Sequence, residues 1–236
     1  MRRGEQADVS LDQTTSGERC VRKAHFAAAG YLRERDALQT VGRLAPGLAP
    51  ALLRHDDATR TLWLAFVEGV APTALARAER SRAFEAVGAQ LRRLAALPVP
   101  ADPVPLEQAM AMRAHAWLQR TPARVAAGEV DALLGEAAAF AGAQRRWCHR
   151  DVRDENLRVR PDGSVVLLDW GQSRPDAEES DLVRLARSAA DAEPGAEADL
   201  AALCRGLGYD RAAPLQQRRL AFAVALERLA RQVTAA

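Results

Sequence analysis

The first part of the chain shows strand-like and then helix-like patterns of apolar and polar positions. β-Branched and apolar side chains occupy alternate positions before a turn at Ser16 and Gly17, and a second apolar run follows that turn, which is typical of two paired strands. Apolar residues then recur at steps of three and four, as in Tyr31, Leu38 and Val41, which predicts an amphipathic helix. The predicted order is strand, strand, helix, strand and strand, over residues 7–15, 18–26, 27–44 and, for the last two, 49–69.

The second part of the chain is predicted to be mainly helical, with one β-hairpin. Its apolar positions recur with helical spacing in six segments, and four prolines within residues 98–105 separate the first segment from the second. The predicted helices cover residues 77–97, 106–121, 129–144, 178–192, 198–209 and 214–233. Between the third and the fourth helix, two strand-like runs flank Pro161, Asp162 and Gly163, a turn sequence that predicts a hairpin over residues 155–170.

The predicted hairpin carries polar residues of the kinds that bind metal ions and move protons. Asn156 begins its first strand and Asp169 ends its second, so these two side chains are expected to lie close together. Asp151 adds a carboxylate in the preceding loop, two residues after His149. Oxygen donors of this kind suit a hard cation such as Mg²⁺, which often takes one or two carboxylates together with phosphate oxygens. The hairpin therefore predicts a site for Mg²⁺ and a phosphate ligand.

The composition draws attention to two positions. Lys and Arg together number 33, yet Lys23 is the single lysine and Asn156 is the single asparagine. Because arginine occupies every other basic position, a retained lysine on a strand and a retained asparagine in the loop indicate a chemical requirement or a structural constraint. Lys23 lies in the second predicted strand, and the simpler alternative for it is a solvated surface lysine.

Glu34 falls on the apolar face of the predicted helix, because it lies three residues after Tyr31 and four before Leu38. A carboxylate that points inward is costly unless it is paired. Lys23 is the obvious partner. Two alternatives stay open: Asp36 could pair with Lys23, or Glu34 could lie at the exposed margin of the apolar face.

Charge and hydropathy exclude several classes of partner. The formal net charge is +2 and charges of both signs are mixed along the chain, which argues against nucleic acid as a partner. No apolar run approaches the length of a membrane span, and the first residues lack the apolar core of a signal peptide, so a cytoplasmic location is expected. Cys20, Cys148 and Cys204 are odd in number and widely spaced, which indicates reduced thiols and argues against a disulfide framework or a zinc site.

The segment around the hairpin resembles the catalytic and metal-binding loops of the protein-kinase-like superfamily. The resemblance comes from a His-Arg-Asp sequence, an asparagine soon after it and a later Asp-Trp-Gly sequence, at His149, Arg150, Asp151, Asn156 and Asp169 to Gly171. The tryptophan in the last motif and the short segment after it are most similar to the branch of aminoglycoside phosphotransferases and choline kinases. Enzymes of that branch phosphorylate small molecules.

This resemblance implies an α+β, two-lobed protein-kinase-like fold. A small antiparallel β N-lobe with one helix would occupy residues 1–69 and bind the nucleotide, and a larger, mainly helical C-lobe would occupy residues 70–236. Only Gly4 precedes the first predicted strand, so the N-lobe is expected to lack the first strand and the glycine-rich loop that usually cover the phosphates.

The resemblance also implies ATP- and Mg²⁺-dependent transfer of the γ-phosphate to a hydroxyl group of a small-molecule acceptor, such as an aminoglycoside, choline or a sugar. Asp151 would orient the hydroxyl and accept its proton, while Asn156 and Asp169 would hold Mg²⁺. The nucleotide-binding residues implied by the resemblance are Lys23 and Glu34 for the phosphates, and the backbone at Ala65 and Val67 for the adenine.

Several neighbouring residues are expected to have supporting parts. By the same resemblance, Asp181 would anchor the catalytic loop, Arg150 would form an internal ion pair, and His149 would support the loop through hydrogen bonds. An acidic segment follows the Asp-Trp-Gly motif and would form either a lip for a cationic acceptor or a solvated loop, at Asp176, Glu178 and Glu179.

Other functions stay open for this sequence. The missing glycine-rich loop would suit a kinase-like nucleotide-binding or regulatory protein with little turnover. A protein kinase or a kinase of lipopolysaccharide sugars would use the same motifs, although the short segment after the Asp-Trp-Gly motif disfavours a protein kinase. Kinship of fold does not identify the acceptor.

Overall fold

The computed structural model describes residues 7–120 and 133–234 of the chain. Its first part contains the strands β1 (Ala7–Gln13), β2 (Arg19–His25), β3 (Leu52–Asp56) and β4 (Thr61–Ala65). They form one antiparallel sheet in the order β1, β2, β4, β3. Gly17 makes the turn between β1 and β2, because its φ of 80° is disfavoured for residues that carry a Cβ atom. All four strands lie within the segments that the sequence predicted.

A single long helix, α1 (Ala28–Leu44), packs against β2 and β3. Its buried face is the one that the apolar periodicity predicted and consists of Tyr31, Glu34, Ala37, Leu38 and Val41. Glu34 is fully buried among these apolar side chains, so the exposed margin of the helix is excluded as its position. The packing of α1 on the sheet places the buried Glu34 next to Lys23 on β2.

The second part of the chain consists mainly of helices. They are α2 (Arg77–Ala95), α3 (Leu106–Leu118), α4 (Val183–Ala190), α5 (Ala196–Leu207) and α6 (Pro214–Thr234). The backbones of α2 and α5 are in direct contact, because a Cβ atom on Gly88 would lie 2.1 Å from the carbonyl oxygen of Leu203. A Cβ atom on Gly206 would likewise lie 1.9 Å from the carbonyl oxygen of Glu85. This close crossing joins the two helices that form the centre of the second part.

Two helical segments differ from the sequence prediction. Of residues 129–144, which were predicted as one helix, residues 133–136 are helical and Ala137–Phe140 forms a 3-10 turn, while residues 129–132 lie outside the described residues. The segment predicted at residues 178–192 begins with another 3-10 turn, Glu178–Asp181, before α4 starts. This tighter turn contains two buried carboxylates, those of Glu179 and Asp181.

Two short antiparallel β-ribbons flank the two polar loops, which contain Asp151 and Asp169. The strands are β5 (Arg146–Cys148), β6 (Leu157–Val159), β7 (Val165–Leu167) and β8 (Arg174–Asp176). β6 and β7 form the predicted hairpin, and β5 pairs with β8 in a ribbon that the sequence did not predict. The two ribbons place the loop that contains Asp151 beside the loop that contains Asp169.

An antiparallel sheet with one helix, followed by a mainly helical part, is the expected α+β architecture. Gly4 and the rest of residues 1–6 lie outside the described residues, so the expected loss of the glycine-rich loop stays a prediction. None of the described helices is long and apolar enough to cross a membrane.

Candidate active site

A cleft of about 580 Å³ lies between the sheet and the β6–β7 hairpin. Its walls are formed by β1, β2, the segment after β4 and the two polar loops of the second part. All seven residues that the sequence nominated for the site line this cleft, namely Lys23, Glu34, Ala65, Val67, Asp151, Asn156 and Asp169. The fold therefore brings together residues from distant parts of the chain.

Lys23 forms two ion pairs at the centre of the cleft. Its Nζ atom lies 2.7 Å from Oε2 of Glu34 and 2.7 Å from Oδ1 of Asp169. Burial by itself lowers the pKa of Lys23, but the charges of Glu34 and Asp169 outweigh it and raise that pKa above the ordinary lysine value. The alternative partner, Asp36, instead binds Arg35 on the surface. Lys23 is therefore a largely buried cation, with a side chain that is 12% exposed, and not a solvated surface lysine.

Glu34 also contacts two groups that were not predicted from the sequence. Its Oε1 atom accepts the backbone N–H of Trp170 at 3.3 Å, which ties α1 to the loop that contains Asp169. Nε2 of the buried His25 lies 3.1 Å from Oε2 of Glu34, without the alignment of a hydrogen bond. The signal for His25 was present in the sequence, because His25 is two residues after Lys23 and shares its face of β2.

Asp169 has a strained backbone at the bottom of the cleft. Its φ of 57° and ψ of 76° lie in the left-handed region, which residues with a side chain rarely adopt. This conformation directs a carboxylate that is 42% exposed towards the cleft. Burial raises the pKa of Asp169, but the neighbouring Lys23 outweighs that effect and lowers it below the ordinary aspartate value. Asp169 is therefore a charged oxygen donor facing the cleft.

Asn156 lies directly beside the end of the second hairpin strand, as the hairpin geometry predicted. Its backbone carbonyl accepts the N–H of Leu168 at 2.8 Å, one residue before Asp169. Its side-chain amide donates to Oδ2 of Asp151 at 2.8 Å, while its amide oxygen accepts no hydrogen bond within the described part of the chain. The oxygens of Asn156 and Asp169 are the hard donors that Mg²⁺ prefers, so the residues present fit this cation.

The number of possible protein ligands is small. In the described part of the chain, no group of three or more His, Cys, Asp or Glu side chains is arranged to hold a metal ion. One carboxylate and one amide would leave most positions around Mg²⁺ to phosphate oxygens and water, which is the usual situation for Mg²⁺ bound with a nucleotide.

The carboxylate of Asp151 is surrounded by donors. Besides the amide of Asn156, the guanidinium groups of Arg153 and Arg184 contact it, with Nε of Arg153 at 3.2 Å from Oδ2 and Nη2 of Arg184 at 3.0 Å from Oδ1. Arg184 also binds Oε1 of Glu227 on α6 through Nη1 at 2.7 Å. Sequence reasoning missed Arg184, because only the three-dimensional packing of α4 against the loop brings it to Asp151.

Asp181 anchors the loop that contains Asp151. Its carboxylate accepts the backbone N–H groups of His149 at 3.2 Å and of Arg150 at 2.6 Å, which is the anchoring expected for this residue. His149 is fully buried, contacts the carbonyl oxygen of Leu168 through Nε2 at 2.8 Å, and meets the ring of Trp170 edge-on. Burial lowers the pKa of His149, so it is a neutral support of the loop.

Asp181 gives the stability of the protein a predictable dependence on pH. Burial raises the pKa of Asp181 to about 7, although the two N–H groups favour its charged form. Between about pH 4 and pH 7 the native state thus keeps a proton that the unfolded chain releases, and the stability from this group is lost as the pH rises through its native pKa. We expect Asp181→Asn to reduce the fall in the free energy of unfolding over that range, as measured by urea denaturation.

A matched control is Asp162→Asn in the hairpin turn. Hydrogen bonds from Ser164 lower the pKa of Asp162, so its removal cannot reduce a loss of stability with rising pH. An equal slope in wild type and Asp181→Asn would show that Asp181 is ionised throughout the range.

Three acidic residues near the loops turn out to be structural. Asp154 accepts the backbone N–H of Thr73 at 2.8 Å and also the hydroxyl group of Thr73, which links the loop that contains Asp151 to the segment before α2. Asp176 is buried between Arg113 at 3.0 Å and Arg150 at 2.7 Å. Glu179 is buried and accepts the hydroxyl group of Tyr209 at 3.1 Å. Both expectations for the acidic segment, a lip and a solvated loop, are therefore wrong for Asp176 and Glu179, whereas the internal ion pair expected for Arg150 is confirmed.

Comparisons with known proteins agree with this arrangement. The family model described as the phosphotransferase enzyme family matches residues 2–215 of the chain. An aminoglycoside phosphotransferase from Streptomyces rimosus, solved with ADP and streptomycin, is 21% identical; the alignment covers 96% of this chain and 94% of that one, with a TM-score of 0.64. A comparison with curated protein sequences gave no match.

Two other solved structures extend the likeness. A macrolide 2'-phosphotransferase from Brachybacterium faecium is 16% identical over 97% of this chain and 82% of its own, with a TM-score of 0.65. A choline kinase from Streptococcus pneumoniae is 16% identical over 95% of this chain and 79% of its own, with a TM-score of 0.63. At these identities the likeness shows the fold, and it confirms the expected two-lobed, kinase-like architecture.

Proposed function

The chain belongs to the phosphotransferase enzyme family, and from this premise we propose that it transfers the γ-phosphate of ATP, with Mg²⁺, to a hydroxyl group of a small molecule. The observation that carries the proposal is the convergence of four groups in one cleft, namely Lys23, Asp151, Asn156 and Asp169. Phosphoryl transfer requires little from a protein beyond positioning and charge neutralisation, and these groups are able to supply both.

The sheet side of the cleft suits a nucleotide. Val9 and Val21 line it with apolar side chains, and Val9 is 59% exposed, so an adenine ring would cover apolar surface that water now meets. The N–H of Ala65 is already donated to the carbonyl oxygen of Ala51 at 2.9 Å, whereas that of Val67 is donated to no group in the described residues. Val67 is thus the better placed of the two for an N–H contact with adenine. The Streptomyces rimosus relative was solved with ADP, which supports use of a nucleotide.

The residues that would hold the metal ion are identified by the oxygen donors in the cleft. The amide oxygen of Asn156 and the carboxylate of Asp169 would hold Mg²⁺, which when bound would neutralise negative charge on the phosphate groups. Lys23 binds Asp169 and Glu34 in the structure, so its ammonium group lies where it is able to contact phosphate oxygens while Glu34 keeps it in position. The strained backbone of Asp169 is consistent with a position set by function.

Asp151 would perform the proton transfer. The acceptor hydroxyl donates its hydrogen bond to the carboxylate of Asp151, which takes the proton as the new bond forms between the hydroxyl oxygen and the γ-phosphorus. The bond from the γ-phosphorus to the bridging oxygen of ADP breaks, and ADP leaves with that pair of electrons. Asn156 and Arg153 keep the carboxylate of Asp151 oriented in the cleft, which reduces the cost of positioning it during the reaction.

Metal removal tests the proposal directly. We expect ATP consumption with an accepted hydroxyl compound to fall by at least about a hundredfold when EDTA replaces Mg²⁺, because charge on the transferred group is no longer neutralised. Formation of ADP is followed by a coupled assay and the phosphorylated product by mass spectrometry. Asp169→Asn should cause a loss of similar kind and raise the Mg²⁺ concentration needed for half-maximal rate.

The substitution Asp162→Asn at an exposed residue of the hairpin turn serves as the matched control. It should leave the Mg²⁺ dependence unchanged, because Asp162 bonds to Ser164 within the turn and does not line the cleft. The alternative of a nucleotide-binding protein with little turnover makes a different prediction. It would show a thermal shift with ATP and Mg²⁺ but no product with any acceptor, and that result would end the proposal of an enzyme acting on hydroxyl groups.

A further inference from the structure

Two guanidinium groups contact the carboxylate of Asp151, the proposed proton acceptor, and only one of them lines the cleft. Arg153 lines the cleft together with the nucleotide-binding residues, whereas Arg184 contacts the opposite oxygen of Asp151 from α4 and does not line the cleft. In phosphoryl transfer the attacking and leaving oxygens lie roughly in line on opposite sides of the phosphorus. Because the nucleotide occupies the cleft, the acceptor approaches Asp151 from the side where Arg184 lies.

Three carboxylates of the second part that could bind a cationic acceptor are already engaged. Asp176 is buried and held by two arginines, and Glu179 is buried against a tyrosine hydroxyl. Glu227, the carboxylate next to Arg184, is paired with that arginine at 2.7 Å. An ammonium group placed near Asp151 would therefore meet the charge of Arg184 without a free carboxylate among these three to receive it, and like charges side by side are costly.

Arg184 has donors that its present partners do not fully use. Its side chain is 28% exposed, and its Nε atom is buried and makes no hydrogen bond in the described part of the chain. Nη1 contacts Glu227 and Nη2 contacts Asp151. A ligand that took the place of Asp151 as the partner of Nη2 would therefore have both Nη2 and the neighbouring Nε as hydrogen-bond donors. These two atoms form one edge of a planar guanidinium group, which is suited to two parallel hydrogen bonds with a carboxylate or phosphate group.

We propose that the acceptor carries a carboxylate or phosphate group close to its reactive hydroxyl, and that Arg184 binds this anionic group while Asp151 takes the hydroxyl. The inference rests on the proposed function and deepens it, because it names the chemical class of the acceptor. Arg184 is then a specificity-determining residue: it exchanges its contact with Asp151 for the anion of the acceptor and leaves the carboxylate oxygen to the hydroxyl group.

A panel of acceptors that differ in charge tests this inference. Glycerate and glycerol 3-phosphate supply the two anionic groups, glycerol is the neutral compound, and choline and streptomycin are cations. We expect kcat/KM of the wild-type enzyme to be at least roughly tenfold higher for an anionic compound than for glycerol, as one charge-assisted pair of hydrogen bonds would give, and lower still for the cations. The comparison of glycerate with glycerol 3-phosphate shows which anionic group is used.

Variants of Arg184 separate recognition from folding. Arg184→Gln should remove most of the preference for the anionic compound, mainly through a higher KM, and Arg184→Lys should restore part of it because the charge returns without the planar edge. The matched control is Arg187→Gln on the same helix, where the guanidinium binds Asp191 at 3.0 Å. Arg187→Gln should keep the wild-type order of acceptors.

The outcomes distinguish this inference from the proposed function. A preference for choline or streptomycin, or a preference for anions that persists in a folded Arg184→Gln, would overturn the inference while the phosphotransferase stands. If no compound is phosphorylated, their binding in the presence of ADP and Mg²⁺ is measured by calorimetry, and equal binding of anionic and cationic compounds would overturn it as well. Failure to bind ATP at all would instead contradict the proposed function.

Discussion

Replacement of Asp151 by asparagine is expected to lower phosphoryl transfer by roughly a hundredfold to ten-thousandfold, the range found when a positioned general base is lost. The amide keeps the shape of the carboxylate but cannot take the proton of the acceptor hydroxyl. It still accepts a hydrogen bond from the side-chain amide of Asn156, so the loop should keep its conformation. The measurement is kcat from ADP formation, together with the melting temperature and the affinity for ATP with Mg²⁺.

The matched control for this substitution is Asp154→Asn in the same loop. Asp154 binds Thr73 and does not line the cleft, so its replacement should change kcat by no more than a few-fold. A wild-type rate in folded Asp151→Asn would remove Asp151 from the reaction. A loss of rate in both variants, accompanied by a loss of stability, would point instead to general disorder of the loop.

Short-range patterns in the sequence determine the parts of the site that could be predicted. The His-Arg-Asp and Asp-Trp-Gly motifs and the hairpin between them span adjacent positions, so Asp151, Asn156 and Asp169 were found together. Glu34 was found because helical periodicity sets its direction and an inward carboxylate requires a partner. The single lysine of the chain then identified that partner, at a distance that the structure gives as 2.7 Å.

The parts that could not be predicted depend on long-range packing. Arg184 reaches Asp151 only because α4 packs beside the loop that contains Asp151, and no pattern in the sequence distinguishes it from the other arginines. The acidic segment was misjudged for the same reason. Asp176 and Glu179 resemble surface residues by composition, but two arginines and a tyrosine from other elements satisfy them in the interior. The strands β5 and β8 are too short, at three residues each, to show a period.

The second large effect is expected at Lys23, whose replacement should lower both the free energy of unfolding and the rate of phosphoryl transfer. Lys23→Met removes the cation that faces the fully buried Glu34, and breaking a buried ion pair by removing one partner costs about 3–5 kcal/mol of unfolding free energy. It also removes the proposed phosphate contact. We therefore expect a protein that unfolds at lower urea concentration and transfers phosphate at least about a hundredfold more slowly, the loss typical of one preorganised electrostatic contact.

Two companion variants separate these effects. Lys23→Met combined with Glu34→Gln removes the buried charge that Lys23→Met alone would leave unpaired at position 34, so most of the lost stability should return while activity stays low. Lys23→Arg keeps the charge beside Glu34 but has a planar group of different reach, so it should retain more stability than Lys23→Met and still transfer phosphate slowly. Because thirty-two of the 33 basic side chains are already arginine, full activity in Lys23→Arg would contradict the chemical reason for the one lysine. Recovery of activity together with stability in the double variant would show that Lys23 acts only by holding α1 in place.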